Sequence, residues 1–180
     1  MRLHRFYISD PIGLQTEVTI HSAELVNQIR RVFRLKAGDS VIVFDGSGSD
    51  YECRIADFGK ESITLDVGSS SRSRFVPERE VILCAAIVKK DTFEWIVEKA
   101  TELGVTKIIP IMAERSEKKN LNQERLKKIA IEASEQSGRG TVPTIHPIIL
   151  LENALRLVNE KSIPAVAFHL EGDVARRDLA

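Results

Sequence analysis

The residues best suited to hold a charged ligand are arginines near the start of the chain. Arg30, Arg31 and Arg34 fall on one side of a predicted amphipathic helix, and Arg5 precedes that helix. The planar guanidinium group meets two phosphate oxygens at once, so such arginines suit a phosphate backbone. Exposed charges contribute little by themselves, and a solvated helix face is an equally good interpretation. Only segregation of the basic residues onto one face would decide between the two.

A second set of basic residues follows predicted strands and helices in the C-terminal half. Its members are Lys89, Arg115, Lys118 and Arg139. If the strands run parallel, their carboxyl ends meet at one edge of the sheet, where open sheets bind ligands. A basic loop after a strand is usually only solvated. The gathering of several such residues at one edge nevertheless favours a phosphate contact.

Other chemistry receives little support from the sequence. The histidines are scattered, and neither Cys53 nor Cys84 has a potential ligand nearby, so we expect no metal site. Both cysteines lie in apolar runs and are predicted to be buried free thiols in a reducing compartment. The chain has no nucleophile-elbow sequence and no phosphate-binding Gly-Lys-Ser/Thr loop. Trp95 is predicted to pack against the core instead of stacking on a base.

Composition restricts the class of protein further. Lys and Arg number 26 and Asp and Glu also number 26, so any affinity for nucleic acid has to come from local patches. No apolar run is long enough to cross a bilayer, and the N-terminus has no signal-peptide core. We therefore expect a cytoplasmic protein without a membrane partner.

The first domain is predicted to be a small β-barrel over residues 1–68. Its predicted strands cover residues 5–8, 41–44, 51–58 and 62–67. The sequence DGSG at residues 45–48 predicts a hairpin turn between two of them. One helix is predicted over residues 22–34. Its buried stripe is predicted to comprise Leu25, Ile29, Val32 and Phe33. A polar linker is predicted over residues 69–75.

Strands and helices alternate over residues 76–180, which is typical of a parallel α/β sheet. Predicted strands cover residues 81–88, 107–111, 144–150 and 164–169. Predicted helices end at residues 103, 137 and 159. The first of these helices should begin with a capping box of Asp91 and Glu94 and stop at a left-handed Gly104. Its buried face is predicted to comprise Phe93, Ile96, Val97, Ala100 and Leu103.

Several segments together resemble the RsmE family of small-subunit ribosomal RNA uridine-N3 methyltransferases. They are LKAGD at residues 35–39, FDG at 44–46, KATELGV at 99–105, ERS at 114–116 and EQSGR at 135–139. These segments follow the family's order and spacing over the whole chain. The resemblance implies a PUA-like β-barrel followed by a parallel-sheet α/β methyltransferase domain of the SPOUT class, which carries a trefoil knot.

The same resemblance implies S-adenosylmethionine as the methyl donor, small-subunit ribosomal RNA as the substrate and a homodimer as the assembly. RNA is then the phosphate-bearing ligand expected at both basic sets: Arg5, Arg30, Arg31, Arg34, Lys89, Arg115, Lys118 and Arg139. No residue can be assigned as the catalytic base.

The resemblance also predicts that the knot segment is missing. Family members continue with a GPEGG turn and an LGxRILR segment that form the knot and the cofactor pocket, and neither occurs in residues 1–180. Only His169, Leu170 and Glu171 are expected to reach the rim of that pocket. We therefore expect a truncated form that is inactive alone. The alternatives are a non-catalytic RNA-binding module and a dimerisation fragment without a ligand.

Overall fold

The computed structural model describes residues 3–114, 116, 120–160 and 164–167, and the backbone of residues 175–177. The described residues form two domains, each with its own apolar core. Within this part of the chain no helix is long and apolar enough to span a membrane.

Alternating apolar and polar residues build the sheet of the N-terminal domain. Its strands are β1 (Arg5–Tyr7), β2 (Glu17–His21), β3 (Ser40–Phe44), β4 (Ser49–Phe58) and β5 (Ser62–Arg72). They are arranged in the order β1-β3-β4-β5-β2, with β1 parallel to β3 and the other pairs antiparallel. Alternate residues of β4 and β5, such as Ile55 and Leu65, are buried in the barrel core. The predicted turn at residues 45–48 joins β3 to β4 and is confirmed.

Two segments of this domain differ from the sequence prediction. The prediction misses β2, although buried Val18 and Ile20 alternate in it with exposed residues, which is the pattern of a half-buried strand. The residues predicted as a linker continue β5 as far as Arg72, where Ser70 pairs with Tyr51 of β4. This half of β5 is exposed on both faces, so its sequence lacks the apolar alternation that marks a strand.

The helix of the first domain changes its winding along its length. α1 (Ala23–Asn27) continues directly into a π-helical turn, Gln28–Val32. There the Phe33 amide donates to the carbonyl of Gln28, five residues back, at 3.0 Å. Val32 ends this wider turn and lies outside the core, with 70% of its surface exposed. The predicted buried stripe is therefore wrong at Val32.

The second domain is a parallel sheet with helices packed against it, as predicted. Its elements are β6 (Ile82–Ala86), α2 (Lys90–Glu102), β7 (Lys107–Met112), α3 (Gln123–Ser137), β8 (Thr144–Ile145), β9 (Ile149–Leu150) and α4 (Leu151–Glu160). β7 lies between β6 on one side and both β8 and β9 on the other. Phe93 and Val97 of α2 meet Leu126 of α3 in the core.

The last two predicted strands differ from the structure. The strand predicted over residues 144–150 is divided into β8 and β9 by a stretch that contains Pro147, which has no amide hydrogen to donate to a ladder. The strand predicted over residues 164–169 is observed as β10 (Ala165–Ala167). Within the described residues it pairs antiparallel with β11 (Ala175–Arg177) and does not join the parallel sheet.

α2 agrees with the prediction at its C-terminal stop and departs from it elsewhere. Gly104 has a φ of +95°, as predicted for the residue that ends this helix. Leu103 is 86% exposed because it follows the last helical residue, and Trp95 is 58% exposed instead of packed. The predicted capping box is absent, since Glu94 pairs with Arg125 of α3 at 2.6 Å.

The two cysteines lie in different environments. Cys53 is buried in β4, and this burial raises the pKa of its thiol to about 11. Cys84 is exposed because it lies on β6, the edge strand of the described parallel sheet. The prediction of two buried thiols is therefore wrong for Cys84.

Two leucines of the second domain, Leu126 and Leu103, provide a direct test of its core. Leu126 is 2% exposed, so Leu126→Ala should lower the free energy of unfolding by about 2–5 kcal/mol. Leu103→Ala removes the same atoms from an exposed side chain and should change that free energy by less than about 0.5 kcal/mol. Urea unfolding of both variants measures the difference. Equal losses would contradict the packing described above.

Candidate functional site

Four exposed basic residues lie in the π-helical turn or just after it: Arg30, Arg31, Arg34 and Lys36. We call them the barrel basic surface. Arg34 has a φ of +56°, a left-handed conformation that residues other than glycine adopt at a cost. π-helical turns and left-handed residues of this kind concentrate at functional sites. The backbone therefore departs from regular helix where the predicted phosphate-binding arginines lie.

Aromatic rings adjoin the barrel basic surface. The Arg30 guanidinium lies over the ring of Phe58, 5.0 Å from its centroid. Phe58 ends β4 and packs partly against the barrel core. Phe33 lies between Arg31 and Arg34 in the chain, and its ring is 4.4 Å from that of His4. Basic side chains next to aromatic rings are the combination that binds single-stranded nucleic acid.

Arg5 is placed differently from the other predicted RNA contacts. It forms a bidentate pair with Asp50, in which one bond measures 2.9 Å. It also donates to the carbonyl of Arg139 at 3.0 Å and lies over the Phe44 ring. Only 8% of its side chain is exposed. We correct the prediction accordingly: Arg5 joins the two domains and is not available to RNA.

Arg139 is also inside the protein, with 2% of its surface exposed. Its guanidinium donates to the carbonyls of Thr101 and Val105, at 2.9 Å for the latter, where α2 ends. A cation at this position also complements the negative end of the helix dipole. Burial lowers the pKa of Arg139. The prediction that Arg139 contacts RNA is therefore also corrected, because its guanidinium binds the carbonyls at the C-terminal end of α2.

The contacts around these two arginines form a continuous polar junction between the domains. Asp50 also accepts a hydrogen bond from the Ser73 hydroxyl. The amide of Gly48 donates to the carbonyl of Gly140 at 3.1 Å. A Cβ on Gly140 would overlap the Ser73 side chain, so this close approach requires glycine. The chain that links the domains is thus held in place by hydrogen bonds on both sides.

Glu135 of α3 forms the third part of this junction. One of its carboxylate oxygens accepts a hydrogen bond from the Tyr7 amide at 2.9 Å. Burial raises the pKa of Glu135 to about 7, and the nearby charge of Glu132 adds to the effect. Hydrogen bonds from the Tyr7 amide and the Gln28 side chain, and the charge of Arg5, oppose it. Glu135 therefore titrates near neutral pH between α3, β1 and the π-helical turn.

The sheet domain contributes a shallow groove between the approach to α3 and the β8–β9 connection. Its volume is about 450 Å³, and its lining residues are Asn120, Leu121, Gln123, Ile145, Pro147 and Ile148. None of these side chains is charged. The adjacent His146 has a buried Nε2 without a hydrogen-bond partner among the described residues. Lys89 is exposed before α2 and stays a predicted RNA contact.

The remaining predicted site residues, Arg115, Lys118, His169, Leu170 and Glu171, lie outside the described residues. Sequence reasoning missed the junction residues Asp50, Ser73 and Glu135. A signal existed for Glu135, because it belongs to the polar EQSGR segment that a generic helix does not need. That segment contacts the other domain of the same chain.

The pKa of Glu135 predicts a pH-dependent stability. Its folded-state pKa of about 7 lies above the ordinary value of 4.5, so the native state keeps a proton that the unfolded chain loses. Stability from this group is therefore complete below pH 4.5 and falls as the pH rises to 7, by up to about 3 kcal/mol. Glu135→Gln should remove this loss, so it should be more stable than the unaltered chain at pH 8 and similar at pH 4.5. Urea unfolding of both proteins at pH 4.5 and pH 8 measures their free energies of unfolding. A difference between the two proteins that is the same at both pH values would contradict the prediction.

Two family models match the chain in the order of its domains. Residues 25–68 match an RNA methyltransferase PUA domain, and residues 76–179 match an RNA methyltransferase domain. These matches agree with the barrel and with the parallel sheet described above. They therefore confirm the expectation of a PUA-like domain followed by a methyltransferase domain.

Proteins called Ribosomal RNA small subunit methyltransferase E are similar to this chain. The one from Rickettsia conorii is 31% identical over 159 residues, which are 88% of this chain and 65% of the relative. The one from Bacillus subtilis is 30% identical over 154 residues, which are 82% of this chain and 60% of the relative. The chain thus spans less than two thirds of the length of these relatives.

A solved structure leads to the same family. The crystal structure of a Ribosomal RNA small subunit methyltransferase E from Neisseria gonorrhoeae, bound to S-adenosyl methionine, is 27% identical with a TM-score of 0.77. The likeness covers 86% of this chain and 65% of that one. Together with a family model that spans residues 76–179, these similarities show that the chain belongs to the RsmE family of RNA methyltransferases.

Proposed function

We propose that this chain forms the RNA-binding barrel and part of the catalytic domain of an enzyme that methylates N3 of a uridine in small-subunit ribosomal RNA. The strongest support is the order of the two family matches along one chain. The barrel basic surface provides the phosphate contacts that such a substrate needs. An enzyme with this substrate works in the cytoplasm.

Methylation of N3 imposes requirements on both the RNA and the enzyme. N3 carries a proton in neutral uridine, so a base or an oriented acceptor has to remove it. N3 also lies on the pairing edge, so the uridine has to be unpaired or turned out of its helix. The methyl group must then approach the nitrogen in line. The described residues bind and orient the RNA, and none of them is assigned as the base.

S-adenosylmethionine is the methyl donor that the proposal requires, but the described residues do not fit it by themselves. The donor joins an adenine ring to a charged amino-acid part. The groove beside α3 has apolar walls and uncharged amide side chains, which suit a ring. Among the described residues, no charged side chain lines it to pair with the ammonium or carboxylate group. We therefore propose that residues 1–180 alone do not hold the donor.

RNA binding without catalysis is the second candidate function. The exposed arginines of the barrel support it, and so does the absence of charged residues from the lining of the described groove.

A homodimer is also proposed. Its support is α4, where Leu151 and Leu155 lie on one face, four residues apart, and expose 44% and 54% of their surface. Contact between two copies of the chain would remove these apolar side chains from water, which is favourable.

Charge reversal at the barrel tests the RNA-binding part of the proposal. A variant with Arg30, Arg31 and Arg34 all changed to Glu should bind a small-subunit ribosomal RNA hairpin at least about 100-fold more weakly at low salt. The slope of log affinity against log salt should also become shallower, by about 2. Fluorescence anisotropy at several salt concentrations measures both quantities.

A matched control separates this surface from net charge. Changing Arg79, Lys127 and Arg156 to Glu alters the charge by the same amount at exposed positions outside the barrel. That variant should keep most of the affinity. An equal loss in both variants would show that net charge alone governs binding. Tight, salt-insensitive binding by the first variant would remove the barrel from the proposal.

Calorimetry tests the donor-binding part separately. Titration of S-adenosylmethionine into the 180-residue chain should give no heat of binding, because the described groove offers no charged partner. A longer member of the family is the positive control. Saturable binding to the 180-residue chain, or transfer of a radiolabelled methyl group to RNA by it, would contradict the proposal.

A further inference from the structure

The pair formed by Arg30 and Phe58 has a geometry that phosphate binding does not need. The Arg30 guanidinium lies over the Phe58 ring at 5.0 Å from the centroid. The position of Phe58 is fixed by packing, because the residue ends β4 and lies partly against the barrel core. Arg30 itself is exposed. The ring therefore lies against one side of the Arg30 guanidinium, and the exposed arginine keeps another side open to a ligand.

The backbone around Arg30 is arranged in an unusual way. Arg30 lies at the centre of the π-helical turn, and Arg34, four residues later, is left-handed. Such features cost free energy and persist where the surrounding structure determines them. A helix that only displayed charge to solvent would need neither. The costly geometry coincides with the arginine that lies over a ring.

We infer that the outer face of the Arg30 guanidinium, supported by Phe58, is a stacking platform for an unpaired base of RNA. This inference rests on the proposed function, because it takes RNA as the ligand. It adds a contact to a base to the phosphate contacts of Arg31 and Arg34. The ligand class is single-stranded RNA or the unpaired loop of a structured RNA.

The chemistry of the guanidinium group supports this use. It is planar and weakly hydrated, so it stacks on aromatic faces while it keeps its charge. Unpaired bases in RNA are commonly recognised by stacking on aromatic rings or arginine planes. Stacking tolerates any base, since every base has a π-face. The target of an N3 methyltransferase is itself unpaired, so its neighbours are available for such a contact.

Replacement by lysine separates stacking from charge. Arg30→Lys keeps the positive charge and removes the plane. The probes are fluorescein-labelled U12 and a labelled twelve-residue ribose-phosphate oligomer without bases. Anisotropy should show that Arg30→Lys weakens binding of U12 by at least about fivefold at every salt concentration. The salt slope should stay unchanged, and affinity for the abasic oligomer should not fall.

Several results would overturn the inference. Unchanged affinity of Arg30→Lys for U12 would mean that Arg30 acts only through its charge. Equal losses on U12 and the abasic oligomer would lead to the same conclusion. Wild-type binding that is equally tight to both probes would identify the surface as a site for any polyanion, an acidic protein included.

Two further variants complete the test. Phe58→Leu removes the supporting ring while it keeps an apolar side chain, and it should reproduce the loss on U12. Its melting temperature has to be checked because Phe58 packs partly against the core, whereas Arg30→Lys touches no core contact. Arg79→Lys, at an exposed position between the two domains' sheets, is the control and should bind both probes like the wild type. Two outcomes separate the stacking inference from the proposed function. If the wild type binds the ribosomal hairpin while Arg30→Lys binds U12 normally, only the stacking inference fails. If the wild type binds neither RNA, the proposed function fails.

Discussion

The largely buried ion pair between Arg5 and Asp50 fixes how the two domains of this protein meet. It joins β1 to β4 within the barrel, and the same guanidinium also donates to the carbonyl of Arg139 in the sheet domain. A buried pair of this kind contributes little net stability when intact, but loss of one partner leaves an uncompensated charge and costs about 3–5 kcal/mol. The pair therefore specifies how the domains meet more than it adds to their stability.

The polar junction fixes the position of the barrel basic surface relative to the sheet domain. Glu135 connects α3 to β1 and to the π-helical turn that carries Arg30. RNA bound at the barrel, as proposed, would be held at a fixed position relative to the sheet domain. A methyltransferase needs this arrangement, because the reacting nitrogen has to stay aligned with the methyl donor during transfer. In this account the buried arginines set the geometry and the exposed arginines bind the ligand.

The sequence predicted features whose cause is local. The hairpin turn at residues 45–48 and the left-handed Gly104 depend on turn and cap chemistry, and both are present. The exposed positions of Leu103 and Val32 could not be predicted, because an apolar residue at helical spacing does not show where a helix ends or widens. Arg5 illustrates the same limit at the candidate site. A buried and an exposed arginine look alike until the partner is known, and Asp50 is distant in sequence.

Ultraviolet crosslinking of the protein to small-subunit ribosomal RNA, followed by mass spectrometry of the crosslinked peptides, tests this account most directly. Peptides that contain Phe33 or Phe58 should carry RNA, since the Phe58 ring lies against Arg30 and Phe33 lies between Arg31 and Arg34 in the chain. Peptides from the EQSGR segment should carry none, because Glu135 and Arg139 in it contact the barrel at the junction. Crosslinks confined to the sheet domain, with the barrel unlabelled, would contradict the assignment of RNA binding to the barrel.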